Sequence, residues 1–128
     1  MNYHFSKKVD YSFDEAIEKV TATLKDEGFG ILTEIDVKET LKKKIDVDFK
    51  KYRILGACKP PLAYKALSAE DKIGLMLPCN VVVQEHEDGT VEISGVDPIA
   101  SMQAVENSKL QEIAAEVQNL MKRAIDRV

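Results

Sequence analysis

Apolar and polar residues recur with two different periods along this chain, and the points where the period switches mark its elements. Tyr3, Phe5 and Val9 share one parity of the first segment while His4, Ser6 and Lys8 hold the other, which predicts a half-buried strand with Lys7 as its single inconsistency. Ser12-Phe13-Asp14-Glu15 is a capping box: the Ser12 hydroxyl can accept the Glu15 amide proton while Glu15 reaches back to Ser12. A helix starts there, with Phe13, Ala16, Ile17, Val20 and Leu24 on one face and Gly28 past its end as a left-handed C-cap. Period two returns after Gly30, where Ile31, Thr33, Ile35 and Val37 alternate with Leu32, Glu34 and Asp36. Thr40 to Ile45 predicts a short helical excursion, and a third strand follows from Tyr52 to about Cys58. Pro60-Pro61 stops that strand, because proline has no amide hydrogen to give the ladder.

In the second half, Leu62, Ala63, Ala66 and Leu67 form a short helical stripe that ends near Ser68. Asn80 to His86 reads as a strand, and its Val81, Val82 and Val83 are apolar on both faces, which places it centrally in a sheet. Asp88-Gly89 has the turn chemistry of a tight hairpin into a strand from Thr90 to Val96. Asp97-Pro98 pairs an N-cap with an N1 proline and starts a short helix through about Ala104. The last helix runs from about Asn107 to Ile125, its apolar face being Leu110, Ile113, Ala114, Val117, Leu120, Met121, Ala124 and Ile125. The order is strand, helix, strand, strand, short helix, strand, strand, long helix. Short connections favour antiparallel neighbours, so the expected fold is α+β, a mostly antiparallel five-stranded sheet with its two longer helices on one face. The other face has no helix to cover it, and Leu32, Leu55 and Val82 are expected to point there. An uncovered apolar sheet face marks a partner surface, so a homodimer is expected.

Composition narrows the function classes. At 128 residues and 45% hydrophobic, the chain suits one compact domain spanning residues 1–128, with a core that needs no metal or disulfide staple. Two cysteines do not make a disulfide framework, and the segment from Met1 to Lys8 lacks the apolar run of a signal peptide, so a reducing cytoplasm is the expected location. No window approaches the roughly 18 uninterrupted apolar residues of a membrane span. A net charge of -4 and a pI near 5.2 argue against polyanion binding, so neither nucleic acid nor membrane is an expected partner. Lys42, Lys43 and Lys44 beside Asp46 and Asp48 read as a solvated face.

The usual catalytic signatures are missing. Gly28-Phe29-Gly30 lacks the third glycine and the following helix of a phosphate-binding loop. There is no His-Glu-x-x-His, Gly-x-Ser-x-Gly or Cys-x-x-Cys. Glu34 and Asp36 share a strand face, the ordinary polar side of an amphipathic strand. What remains is Cys58, Cys79, His4 and His86. Each cysteine stands at a strand end beside a proline and a polar residue, in Cys58-Lys59-Pro60 and Pro78-Cys79-Asn80, where irregular backbone shapes pockets. Both thiols can be small buried apolar groups, as free cysteines usually are. Alternatively they form a thiol pair, or one thiolate activated by the Lys59 charge. A third reading adds His4 or His86 as metal ligands, but His86 among Glu85, Glu87 and Asp88 reads as a solvated turn residue and the spacing matches no paired-ligand motif, so no metal site is expected.

The runs Glu27-Gly28-Phe29-Gly30-Ile31-Leu32-Thr33-Glu34-Ile35-Asp36, Tyr52-Arg53-Ile54-Leu55-Gly56-Ala57-Cys58-Lys59-Pro60 and Leu77-Pro78-Cys79-Asn80-Val81-Val82-Val83 carry a family resemblance, with Ala63, Ala66-Leu67 and Asp97-Pro98. Together they resemble the uncharacterised prokaryotic family catalogued as domain of unknown function 302, over nearly the whole chain. The resemblance implies a small α+β domain, often a dimer, with no agreed biochemical activity. Cys58, Pro60, Pro78, Cys79 and Asn80 match its pattern, whereas Lys59 stands where the family more often has asparagine, so no role needing an amide there carries over. The expected function is a homodimeric cytoplasmic binding module with a small-molecule ligand near Cys58, Lys59, Pro60, Pro78, Cys79 and Asn80. The alternative is a thiol-dependent redox or metal-handling protein using Cys58 and Cys79. No cofactor and no catalytic residue is assigned.

Overall fold

The protein is described by a computed structural model covering residues 2–128. Its strands are β1 (His4–Val9), β2 (Gly30–Asp36), β3 (Tyr52–Cys58), β4 (Cys79–Glu85) and β5 (Val91–Val96). They form one sheet in the order β1-β5-β4-β3-β2, with every neighbouring pair antiparallel. The strand that is apolar on both faces, β4, is the central one, as its pattern predicts. The helices are α1 (Phe13–Asp26), α2 (Val37–Ile45), α3 (Pro60–Ala69), α4 (Pro98–Ser101) and α5 (Ser108–Asp126). A 3-10 segment, Asp71–Met76, follows α3 and had no clear period to announce it.

Local chemistry sets the helix ends. The Ser12 hydroxyl accepts from the Glu15 amide at 3.2 Å, and the Asp97 and Asn107 side chains cap α4 and α5 in the same manner. At the end of α1, Gly28 takes φ +88°, and the amides of Gly28 and Phe29 turn back to the carbonyls of Lys25 and Leu24. This left-handed closure throws Phe29 inward, where it is buried.

The apolar stripes of α1 and α5 lie on one sheet face and enclose Leu55, Val81, Val83, Val91 and Ile93 in the main core. Contact is closest at Gly95, where an added Cβ would lie 2.7 Å from Met121 Sδ and 3.0 Å from Ile125 Cγ1. Lys7, the misfit of the first strand, is on this helix-covered side opposite Ile93. Its ammonium donates to the carbonyls of Asp126 and Val128 at 2.9 and 2.8 Å, so it closes the negative end of α5. A smaller core of Ala66, Ile73, Met102, Leu110 and Ala114 joins α3, the 3-10 segment, α4 and α5 beyond the end of the sheet.

Two expectations about facing are corrected. Leu55 does not point to the open face: it pairs with Val81, both side chains enter the main core, and Leu55 is 1% exposed. The β2 alternation is broken by a bulge between Ile31 and Thr33. An extra residue shifts the parity of everything beyond it, so Ile31 packs towards the helices, Thr33 and Ile35 fall on the open face, and Leu32 is left 65% exposed. Glu34 and Asp36 then share the helix side of β2 and bracket Arg53 at 2.6 and 3.4 Å. Their charges raise the Arg53 pKa, chiefly through the Glu34 hydrogen bond. Lys42 pairs with Asp46 and Asp48, and Lys43 with Glu39, on an exposed helix edge.

Candidate functional site

The small side chains of Ala57 on β3, Ala63 and Ala66 on α3, and Ala114 on α5 face one another where the two cores meet. Larger residues, among them Leu62 and Met102, surround them. The space left is an apolar cavity of about 290 Å³, at the lower end of the volumes that take small ligands, ~300–1,000 Å³. Phe29, placed by the turn after α1, and the exposed Leu32 and Leu67 complete its wall towards solvent.

Both cysteines line this cavity. Cys79, the first residue of β4, pairs with Ala57, and Cys58 is the next residue along β3, so the thiols are neighbours without being directly opposed. Both are free; Cys79 is buried and Cys58 half-buried. Burial, with a smaller contribution from Cys58, pushes the Cys79 thiol up to about 11. Only about one Cys79 in ten thousand is then a thiolate at pH 7, the opposite of what a nucleophilic thiol needs. Among the described residues, no group of three or more His, Cys, Asp or Glu side chains is arranged to hold a metal ion.

Lys59 is also in the wall, and its ammonium donates to the Glu27 carbonyl at 3.2 Å. Pro78 lines the cavity too, and it packs over Gly56, where an added Cβ would lie 2.7 Å from Pro78 Cγ and overlap Thr33 Oγ1. The Leu77–Pro78 bond is cis. The structure therefore brings Cys58, Lys59, Pro78 and Cys79 together. It sets Pro60 outside the cavity, exposed at the first position of α3, and Asn80 on the open sheet face. The walls from α3 and α5 were not singled out by sequence. Their signal was the alanines inside otherwise bulky stripes, which by themselves read as ordinary close helix packing.

Asn80 belongs to a shallow groove on the open face with Val82, Gln84, Ser94 and Val96. At one edge of it His4 Nδ1 and Ser6 Oγ are 2.7 Å apart, and Ser6 and Ser94 share a hydrogen bond of 2.7 Å. All three side chains are near the surface, and the chain of hydrogen bonds ends without a carboxylate. His86 bonds instead to Glu92 at 2.9 Å, on the hairpin.

No helix among the described residues is long and apolar enough to cross a membrane. Nothing matches the chain among curated proteins. A crystal structure of an uncharacterized conserved protein DUF302 from Bacillus stearothermophilus is similar over 99% of this chain and 98% of that one, with 32% identity and a TM-score of 0.91. The family model described as domain of unknown function DUF302 matches residues 5–128, taking in every strand except the first residue of β1, all the helices and the whole wall of the cavity. On that match, and on a fold shared nearly end to end, this chain belongs to the DUF302 family.

Proposed function

We propose that this chain is a binding module whose ligand is a small, mainly apolar molecule held in the cavity between the Cys58–Cys79 end of the sheet and the helices α3 and α5. The observation that carries the reading is the cavity itself: about 290 Å³ walled by apolar side chains, with the two thiols and Lys59 as its polar groups. An apolar hollow open to solvent on one side gains free energy when an apolar guest displaces the water in it. The thiols act as packing and lining groups, since Cys79 is held protonated, and a reducing cytoplasm suits two free cysteines. Titration of the isotope-labelled protein with 1-octanol, followed by amide shifts, tests this. Saturable shifts clustered at Phe29, Ala57, Leu62 and Ala114 support it; no saturable shift overturns it.

The same reading takes the open sheet face as the surface of a homodimer. Register places Ser6, Ser94, Val82, Ile54 and Ile35 in one row across the sheet, and His4, Val96, Asn80, Gly56 and Thr33 in the next. Neither row contains a carboxylate or an ammonium, and the charged residues of this face, Lys8 and Glu92, stand opposite each other in the ladder at its margin. Two copies can therefore meet face to face about a two-fold axis without like-charge repulsion. Light scattering that gives a monomer at high concentration would sink the dimer and leave the cavity untouched.

A further inference from the structure

Lys59 is the one charged residue in the wall of the cavity, and no acidic side chain lines it. Among the described residues, Lys59 has no carboxylate within ion-pairing distance; its ammonium has a single backbone acceptor, the Glu27 carbonyl. The nearby Glu27 carboxylate is engaged elsewhere, by Arg123 at 2.7 Å and Arg127 at 3.7 Å. An ammonium has three donors, so two remain for a ligand. Their position is fixed by the turn that follows α1: the Lys59 stem packs so closely on Gly28 that a Cβ there would lie 3.0 Å from Lys59 Cε. The next residue, Phe29, is cavity wall. Lys59 therefore joins the two: the residue lines the apolar space, and its ammonium is held beside the turn at Gly28 that leads into the Phe29 wall. Lys59 is also the N-cap of α3, whose positive end adds to its field. Pro60 and Pro61 occupy the first two positions of that helix and have no amide hydrogens, which leaves the ammonium as the donor at this end.

We propose that the ligand is an amphipathic monoanion, with an apolar body inside the cavity and a carboxylate on the Lys59 ammonium. This rests on the ligand-binding reading above. At roughly 30 Å³ per water-sized group, 290 Å³ holds about ten non-hydrogen atoms, the size of a medium-chain fatty acid or a short aryl-alkanoic acid. A cation of the same size meets an ammonium with no acid to offset it, and a neutral analogue forgoes the charge-assisted hydrogen bond.

The test compares sodium octanoate, 1-octanol and octylammonium by amide-shift titration of the full chain, in wild type, Lys59→Met and Lys59→Gln. Octanoate is expected to bind wild type about tenfold or more tighter than octanol, the size of one hydrogen bond to a charged group, and octylammonium weakest. Both variants are expected to lose the preference for octanoate over octanol, and the dispersion of their own amide spectra without ligand reports that they are folded. Equal binding of octanoate and octanol by wild type overturns the anion proposal and leaves the cavity reading standing. So does an octanoate preference that survives both substitutions, since the charge would then be read elsewhere. Failure of all three compounds to bind overturns both.

Discussion

Replacing alanine by leucine at two equally buried helix positions should have opposite effects. Ala66 on α3 is 3% exposed and lines the cavity, whereas Ala16 on α1 is 0% exposed and sits in the main core against the sheet. The change in helix propensity is the same small amount at both. Three added carbons bring at most about 2.4 kcal/mol of burial, at ~0.8 kcal/mol each. At Ala66 they enter free space of about 290 Å³, so after the loss of side-chain freedom the expected net stabilisation is about 0.5–1.5 kcal/mol. At Ala16 no space exists, and the added atoms force strain of about 1–3 kcal/mol. Urea unfolding with a shared slope measures both, and Ala66→Leu should also weaken octanol binding by filling the site. If Ala66→Leu is as destabilising as Ala16→Leu, the small side chains are in tight contact and the cavity argument fails.

Other outcomes follow from single contacts. Gly95→Ala places a methyl 2.7 Å from Met121 Sδ and should lose about 1–2 kcal/mol, with Met121→Ala in the same chain recovering part of it; additive losses would refute the close approach. Because the folded-state pKa of Cys79 is raised to about 11, its contribution is present below the ordinary thiol value. It should fade by about 2–3 kcal/mol as pH rises from about 9 towards 11, where only the unfolded state releases the proton. The difference in urea stability between wild type and Cys79→Ala should shrink over that window, and a flat difference would contradict the burial. In alkylation of the native protein, half-buried Cys58 should label before Cys79, and equal rates would show that the strand end opens. Lys7→Met removes both bonds to the end of α5 and should lose about 1 kcal/mol, read as a lower thermal midpoint; an unchanged midpoint would mean that solvent caps the helix equally well.

Most of the architecture was legible because local chemistry names its own elements. Ser12, Gly28, Asp88-Gly89, Asp97-Pro98 and Asn107 act within four residues of themselves, and the stripe of α5 is its own record of which side is buried. The central place of β4 followed from its double-sided apolar run for the same reason. The facing of β2 was not legible, because one extra residue at a bulge inverts the parity of those beyond it and nothing in the composition of Ile31-Leu32-Thr33 marks it. Leu55 was misplaced for a related reason: a strand with apolar residues at both parities does not say which set meets the helices, and only pairing with Val81 decides it.

The candidate site divides along the same line. Proline and cysteine at two strand ends pointed to Cys58, Lys59, Pro60, Pro78, Cys79 and Asn80, since a proline interrupts a ladder wherever it stands, and all of these but Pro60 and Asn80 line the cavity. The cavity belongs to no single segment. Its walls come from β3, β4, α3, α5 and the turn after α1, which meet only in the folded chain, and alanines at several of those positions leave the space. A residue's period and capping chemistry are properties of its near neighbours and survive in the sequence alone. Empty volume, the burial that keeps Cys79 protonated and the engagement of the Glu27 carboxylate by Arg123 rather than Lys59 are sums over atoms distant in the chain, and they exist only once it has folded.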